Sequence, residues 1–160
     1  MSPIQETGTG GASMTGAVLS PCVGLCSTTL GDDVCRGCQR HRDEIRDWFA
    51  MPAEERQRRM NELDALRQQQ ASVLIDVFDE ARLEQQMRRH RIRFRASQPA
   101  LSRAVELLRV GRERIGVLDA YGLSPRPGAP ASAAELYAAL SDALNGAAAS
   151  RRQRDSQAGR

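Results

Sequence analysis

Four cysteines near the start of the chain constrain its fold more than any other feature. Cys22 and Cys26 are separated by three residues and Cys35 and Cys38 by two, with eight residues between the pairs. Glycine and proline interrupt this stretch, so it is too short and too irregular to order itself by burying apolar surface. In small domains of this kind, a bound metal ion supplies the missing free energy. The spacing therefore predicts a metal site whose ligands are these four cysteines.

Zinc is the ion that the pattern favours. A structural zinc site takes four thiolates in a tetrahedral arrangement, with Zn–S distances of about 2.3 Å. Such a site leaves no coordination position for water, so its role is structural rather than catalytic. Thiolates also hold iron–sulfur clusters, although this spacing is not one of the familiar ferredoxin runs. An iron–sulfur cluster is therefore the alternative cofactor.

The sequence also bears on the compartment in which these cysteines operate. The residues from Met1 to Gly16 contain neither Lys nor Arg and no long apolar stretch, which argues against a secretory signal. No apolar run approaches the roughly 20 residues that a membrane-spanning helix needs. We therefore expect a cytoplasmic protein with no membrane partner. In a reducing compartment, clustered cysteines bind metal more often than they form disulfides.

Apolar residues recur at helical spacing through most of the remaining chain, which predicts a mostly α fold. A small, irregular four-cysteine knuckle is expected to lead into several helices, the first of which places Ile45, Trp48 and Phe49 on one face. The predicted segments are a disordered tail at 1–19, a four-cysteine module with two helices at 20–66, a helical region at 67–122, a Pro-rich linker at 123–131, a C-terminal helix at 132–146 and a disordered tail at 147–160.

Local signals refine these boundaries. A helix is predicted over residues 72–90, either separate from the preceding helix or continuous with it. Ser97 is placed as the N-cap of a later helix whose first turn holds Pro99. Ser132 and Glu135 have the spacing of a capping box, and Gly146 is expected to end the helix that Ser132 begins.

An arginine-rich stretch is the best candidate for a contact with a partner. Between Arg82 and Arg95 the chain has six Arg against one Glu, whereas its formal net charge is only +3. Arginines neutralise phosphates, and an exposed Phe94 would stack on a base. The alternative, which we favour, is a solvated helix end whose Ile92 and Phe94 enter the core. The candidate contact residues for nucleic acid or another partner are Arg88, Arg89, Arg91, Arg93 and Arg95.

Three short stretches of the module resemble a known family. They read Ser20-Pro21-Cys22-Val23-Gly24-Leu25-Cys26, then Cys35-Arg36-Gly37-Cys38-Gln39-Arg40, then Asp43-Glu44-Ile45-Arg46-Asp47-Trp48 with Met51 and Glu54-Glu55-Arg56. This combination resembles the bacterial DUF1289 family, whose members are often labelled predicted iron–sulfur proteins and whose function is not established. The resemblance covers about residues 20–66.

The resemblance implies that the four cysteines act together, and that Ile45 and Trp48 support the metal loop by packing on it. Two positions depart from the usual family pattern. His41 stands where a hydroxyl residue is common, and Pro52 where Ser is common. Both are expected at helix starts, with His41 on the surface, so the departures concern helix caps rather than the metal site.

Catalytic machinery is harder to find in this sequence. It has no phosphate-binding glycine loop, no nucleophile elbow and no His-rich zinc-enzyme motif. Its paired carboxylates are neighbours in sequence, whereas acid–base catalysis needs groups that converge on one substrate. We therefore expect a non-enzymatic, metal-binding interaction module whose partner is a protein or a nucleic acid. The alternative function is an iron–sulfur protein that transfers electrons or senses oxidants.

Overall fold

The computed structural model describes residues 20–24 and 26–159, and within them the fold is mostly α, as predicted. The α-helices are α1 (Arg42–Asp47), α2 (Ala53–Ala71), α3 (Glu80–Arg89), α4 (Ala100–Gly111) and α5 (Ala133–Gln157). Short 3-10 helices cover Ser27–Leu30, Trp48–Ala50 and Leu118–Tyr121. The predicted tail at 1–19 lies outside the described residues. In the described part of the chain, no helix combines the length and apolar character that crossing a membrane requires.

The chain divides into two compact units between Leu63 and Asp64, a position inside α2. In the first unit, α1 runs into the 3-10 helix that begins at Trp48. Met51 then adopts an extended conformation, as the residue before a proline prefers, and α2 begins directly after Pro52. The buried hydrophobic residues of this unit include Cys35, Cys38, Trp48, Met60 and Leu63.

The second unit is built around a small antiparallel sheet, the end of α2 and the helices that follow it. Strand β1 (Ile75–Val77) pairs with β2 (Leu123–Pro125), and Ile75 lies opposite Pro125. Gly122 precedes β2 with a φ of 75°, and a Cβ at this position would lie 2.3 Å from the Asp79 carbonyl oxygen. Only glycine fits this close approach. The core of this unit includes Ile75, Leu83, Met87, Leu107, Leu108, Leu123, Leu136, Leu140 and Leu144.

A buried polar cluster accompanies this core. Both carboxylate oxygens of Asp64 accept hydrogen bonds from Arg95, each at 2.8 Å. The Ser102 hydroxyl donates to the same carboxylate at 3.0 Å, and the Gln98 amide donates to Ser102 at 2.9 Å. The two bonds share one Arg95 nitrogen, Nη2, and are charge-assisted, so the cluster ties the segment between α3 and α4 to the start of the unit.

The prediction of a helix over residues 72–90 is wrong in its first half. The helix that does form there, α3, is separate from α2 rather than continuous with it. The chain leaves α2 at Ala71, forms β1 and begins α3 at Glu80, where the Asp79 side chain accepts from the Arg82 amide. Ile75 is fully buried in β1. Pairing with a distant strand overrides the local helical spacing here.

Two further boundaries differ from the expected ones. Ser97 does not cap α4, because Pro99 occupies the cap position and provides no side-chain hydrogen bond. The predicted linker begins as strand β2. Ser132 does cap α5, since its hydroxyl accepts from the Glu135 amide.

The C-terminal helix is longer than predicted. It continues through Gly146 to Gln157, so most of the expected disordered tail is helical. A glycine inside a helix costs only about 1 kcal/mol relative to alanine. Ala147 packs against the core, and it opens a run of three alanines, which are the best helix formers.

Candidate metal centre

The second cysteine pair sits in a tight turn that the backbone closes on itself. The Cys35 amide donates to the Arg40 carbonyl at 2.9 Å, and the Gln39 amide donates to the Cys35 carbonyl at 2.8 Å. An antiparallel bridge between Val34 and His41 flanks the turn. Gln39 has a φ of 67°, a conformation that disfavours side chains other than glycine. The turn therefore holds a strained residue to keep Cys35 and Cys38 in place.

The sulfur atoms of Cys35 and Cys38 are in contact. Their side chains are hydrogen-bonded to each other, and each residue is 1% exposed. The backbone amides of Ser27, Gly37 and Cys38 also donate to the Cys35 sulfur. Chiefly because the Cys38 thiol donates to it, the pKa of Cys35 falls to about 4. That same hydrogen bond, together with burial, raises the pKa of Cys38, so the pair shares one proton.

The first cysteine pair is half-buried and also surrounded by donors. The Gly24 amide donates to the Cys22 sulfur at 3.4 Å. The Cys26 sulfur lies 2.9 Å from the Thr28 hydroxyl oxygen, in a hydrogen bond that either atom can donate. None of the four cysteines forms a disulfide, and they lie near one another in the first unit. Every one of the four sulfur atoms therefore has a polar neighbour able to stabilise a thiolate.

Arg40 connects the second cysteine pair to the tryptophan. Its Nε donates to the Cys38 sulfur at 3.3 Å, and its guanidinium carbon lies 4.9 Å from the centre of the Trp48 ring. Trp48 is fully buried, and its Nε1 has no hydrogen-bond partner among the described residues. Ile45, the other residue expected to support the loop, is half-buried on α1. Trp48 thus lies against the cysteine turn through Arg40.

His41 caps α1, but it is buried rather than on the surface as expected. Its Nδ1 accepts from the Glu44 amide at 3.3 Å, and the Glu44 carboxylate accepts from the His41 amide at 3.3 Å. This reciprocal pair is a capping box with histidine in place of the usual hydroxyl residue. The departure from the family pattern at this position therefore preserves the cap.

Sequence reasoning missed a buried ion pair beneath this cap. The Glu44 carboxylate accepts from Arg59 at 2.8 Å, and Arg59 also donates to Glu55 at 2.9 Å. The three-residue step from His41 to Glu44 was a signal for the cap, because it matches capping-box spacing. Nothing in the sequence pairs Glu44 with Arg59, which lies in a different helix.

The cysteine turn and its neighbours fit a metal held by thiolates. Cys22, Cys26, Cys35 and Cys38 would be the ligands, and the ion would cross-link two segments that are otherwise joined by an irregular loop. Amide donors directed at sulfur are the interactions that stabilise such ligands. The buried indole N–H of Trp48 has no acceptor among the described residues. A buried donor without a partner fits a site whose cysteines would become negatively charged thiolates on binding a metal.

The arginine-rich stretch of the second unit is only partly available to a partner. Arg95 departs from the expected contact set, since it is engaged with Asp64 inside the unit. Ile92 is buried, as the alternative that we favoured requires. Phe94 packs against the core and lies between the guanidinium groups of Arg88, at 5.1 Å, and Arg103, at 4.7 Å.

Four of the five candidate contact arginines are exposed, and we call them the arginine surface: Arg88, Arg89, Arg91 and Arg93. Arg91 adopts a φ of 57° directly after α3. This left-handed residue reverses the direction of the chain after α3. The amide of the next residue, Ile92, then donates to the Met87 carbonyl at 2.8 Å.

Comparison with known proteins concerns the first unit. No curated protein and no solved structure matches the chain. The segment that carries the four cysteines, α1 and most of α2, residues 20–67, matches the model of DUF1289, a protein family of unknown function, which confirms the resemblance drawn from the cysteine spacing and from Trp48.

Proposed function

We propose that this chain is a non-enzymatic interaction module of the cytoplasm, in which a zinc ion held by Cys22, Cys26, Cys35 and Cys38 orders the first unit. The observation that carries the proposal is the set of hydrogen-bond donors around all four sulfur atoms. Three backbone amides converge on Cys35 alone. A loop that builds donors around sulfur, and holds Gln39 in a strained conformation to do so, is organised for thiolate ligands.

The metal content of the purified protein tests this proposal. The full chain would be prepared without oxygen, its visible spectrum recorded and its metals measured by elemental analysis. About one zinc per chain in a colourless solution is the stoichiometry of a closed four-thiolate site. A Cys35→Ser variant is expected to lose the metal. Ser97→Ala, at an exposed position in the second unit, serves as the matched control and should retain it.

Iron–sulfur chemistry is the second candidate, and the same preparation distinguishes it. Amide donors to sulfur are one of the levers that set the reduction potential of a cluster, so the environment of Cys35 suits a redox centre as well. Iron with acid-labile sulfide and a brown solution would replace zinc as the cofactor. The leading function would then be electron transfer or oxidant sensing.

The proposed partner is a nucleic acid whose phosphates contact the arginine surface of the second unit. Arg89 and Arg91 are exposed where the chain turns after α3, next to Arg88 and Arg93. Such a cluster contacts phosphates, and each contact makes binding weaker as salt rises.

Fluorescence anisotropy with labelled single-stranded RNA and DNA tests this part. Between about 50 and 200 mM salt the affinity of wild type is expected to fall steeply. A double change of Arg89 and Arg91 to Gln should weaken binding, whereas Arg114→Gln removes an exposed arginine elsewhere in the unit and should change it little. A chain that binds neither probe at low salt does not recognise nucleic acid, and the partner is then a protein.

A further inference from the structure

We infer that Arg40 is the outer-sphere partner of the metal centre, supplying a buried positive charge that balances its thiolates. The inference rests on the metal site of the proposed function and adds a residue that the cysteine pattern does not contain. Arg40 is 4% exposed, and a buried charge is costly unless an opposite charge compensates it.

A buried arginine is usually paired with a carboxylate, whereas Arg40 is next to a sulfur atom. Its side chain donates to the Cys38 sulfur at 3.3 Å and to the Ser20 hydroxyl at 3.2 Å, and it stacks on Trp48. Among the described residues, no carboxylate forms an ion pair with it. The group that faces the Arg40 guanidinium is therefore the Cys38 sulfur, which would become a thiolate, and so the counter-charge of Arg40, once a metal is bound.

Arg59 provides an internal comparison. It belongs to the same unit and is equally buried, also at 4% exposure. Its guanidinium lies against two carboxylates, with Glu44 at 2.8 Å and Glu55 at 2.9 Å. The first unit thus compensates one buried arginine with glutamates and the other with the cysteine turn.

The charge of a four-thiolate site explains why the turn needs this arginine. Four thiolates around a divalent zinc ion leave a net charge of about −2. A guanidinium that donates to one of the sulfurs offsets part of that charge through a charge-assisted hydrogen bond. The Trp48 ring over the guanidinium covers it with an apolar face, where electrostatic interactions are stronger than in water.

The position of Arg40 is fixed by the turn itself. Its carbonyl accepts from the Cys35 amide at 2.9 Å, and its own amide donates to the Cys38 sulfur. Backbone and side chain of one residue therefore reach both cysteines of the second pair. This arrangement places the guanidinium next to the sulfur with little further loss of side-chain freedom.

Zinc affinity of the full chain tests the inference, measured by competition with a chromogenic chelator. Arg40→Gln is expected to bind one zinc about 10- to 100-fold more weakly, the usual effect of removing a group that supports a metal ligand. Arg36→Gln is the matched control, because Arg36 lies in the same turn with its side chain 62% exposed and paired with Asp32. Its affinity should stay within about twofold of wild type, since exposed ion pairs contribute little.

A cobalt-substituted protein keeps the inference testable if Arg40→Gln does not fold. Arg40→Lys retains the charge but replaces the guanidinium donor to Cys38, so the sulfur-to-cobalt charge-transfer band is expected to shift, while Arg36→Lys leaves it in place. Wild-type affinity in Arg40→Gln, or an unshifted band in Arg40→Lys, overturns the role of Arg40. A wild-type chain that binds neither zinc nor cobalt defeats the proposed metal site itself.

Discussion

Replacing Glu44 with Gln tests the buried ion pair of the first unit. Gln keeps the size of the side chain and its ability to accept from the His41 amide, so the change removes mainly the charge that Arg59 faces at 2.8 Å. Removing one partner of a buried pair costs about 3 to 5 kcal/mol. Because Arg59 retains Glu55 at 2.9 Å, we expect the lower end, about 3 kcal/mol.

Urea unfolding followed by tryptophan fluorescence measures this loss. Trp48 is the only tryptophan in the chain and lies in the first unit, so its emission reports on that unit. A loss of about 3 kcal/mol lowers the urea midpoint by about 1 M or more. Glu54→Gln changes an exposed glutamate of α2 and should shift the free energy of unfolding by less than about 0.5 kcal/mol. A Glu44→Gln midpoint equal to that of the control would refute the argument.

Three further outcomes are expected, each with its own measurement. Asp64→Asn removes the charge that accepts from Arg95 Nη2 and should destabilise the second unit by about 2 kcal/mol in thermal melts followed by far-UV circular dichroism; an unchanged melt contradicts this. Gly122→Ala drives a Cβ into the Asp79 carbonyl and should cost more than Gly128→Ala, where φ is also positive but no atom lies within 4 Å; equal losses would show that strain alone matters. Chelation of the metal should change tryptophan emission while the helical signal of the second unit persists, and a simultaneous loss of both signals would rule out independent units.

The first unit was predictable because its signals are local. The break at Pro52 follows from the proline itself, and each cysteine pair is defined by residues within a few positions of one another. A metal held by the four cysteines stays a prediction. Histidine at the cap of α1 was also expected, although its burial was not. The roles of Arg40 and Arg59 were not predictable, since burial and the identity of a counter-charge are properties of the packed structure.

The second unit shows the opposite case. The apolar run around Ile75 has the spacing of a helix, and only its distant partner at Pro125 makes it a strand. Arg95 likewise has the sequence position of one member of an arginine cluster, and only the packed structure shows that it pairs with Asp64. The prediction that the last helix ends at Gly146 was wrong for a simpler reason. The free-energy cost of one glycine in a helix is small compared with the helix-forming tendency of the residues that follow it.

The β1–β2 ladder has a consequence for the speed of folding. It joins two three-residue strands across the long stretch of chain that holds α3 and α4. Closing such a loop costs conformational entropy, which the few contacts between the strands offset only after they have formed. Helices, in contrast, form from local contacts within microseconds. Packing of α3 against α4, through bonds such as that from Arg103 to Glu84 at 3.2 Å, shortens the flexible chain between β1 and β2 before the strands pair. The ladder is therefore a late event, and stopped-flow kinetics should show that weakening it at Gly122 accelerates unfolding more than it slows refolding.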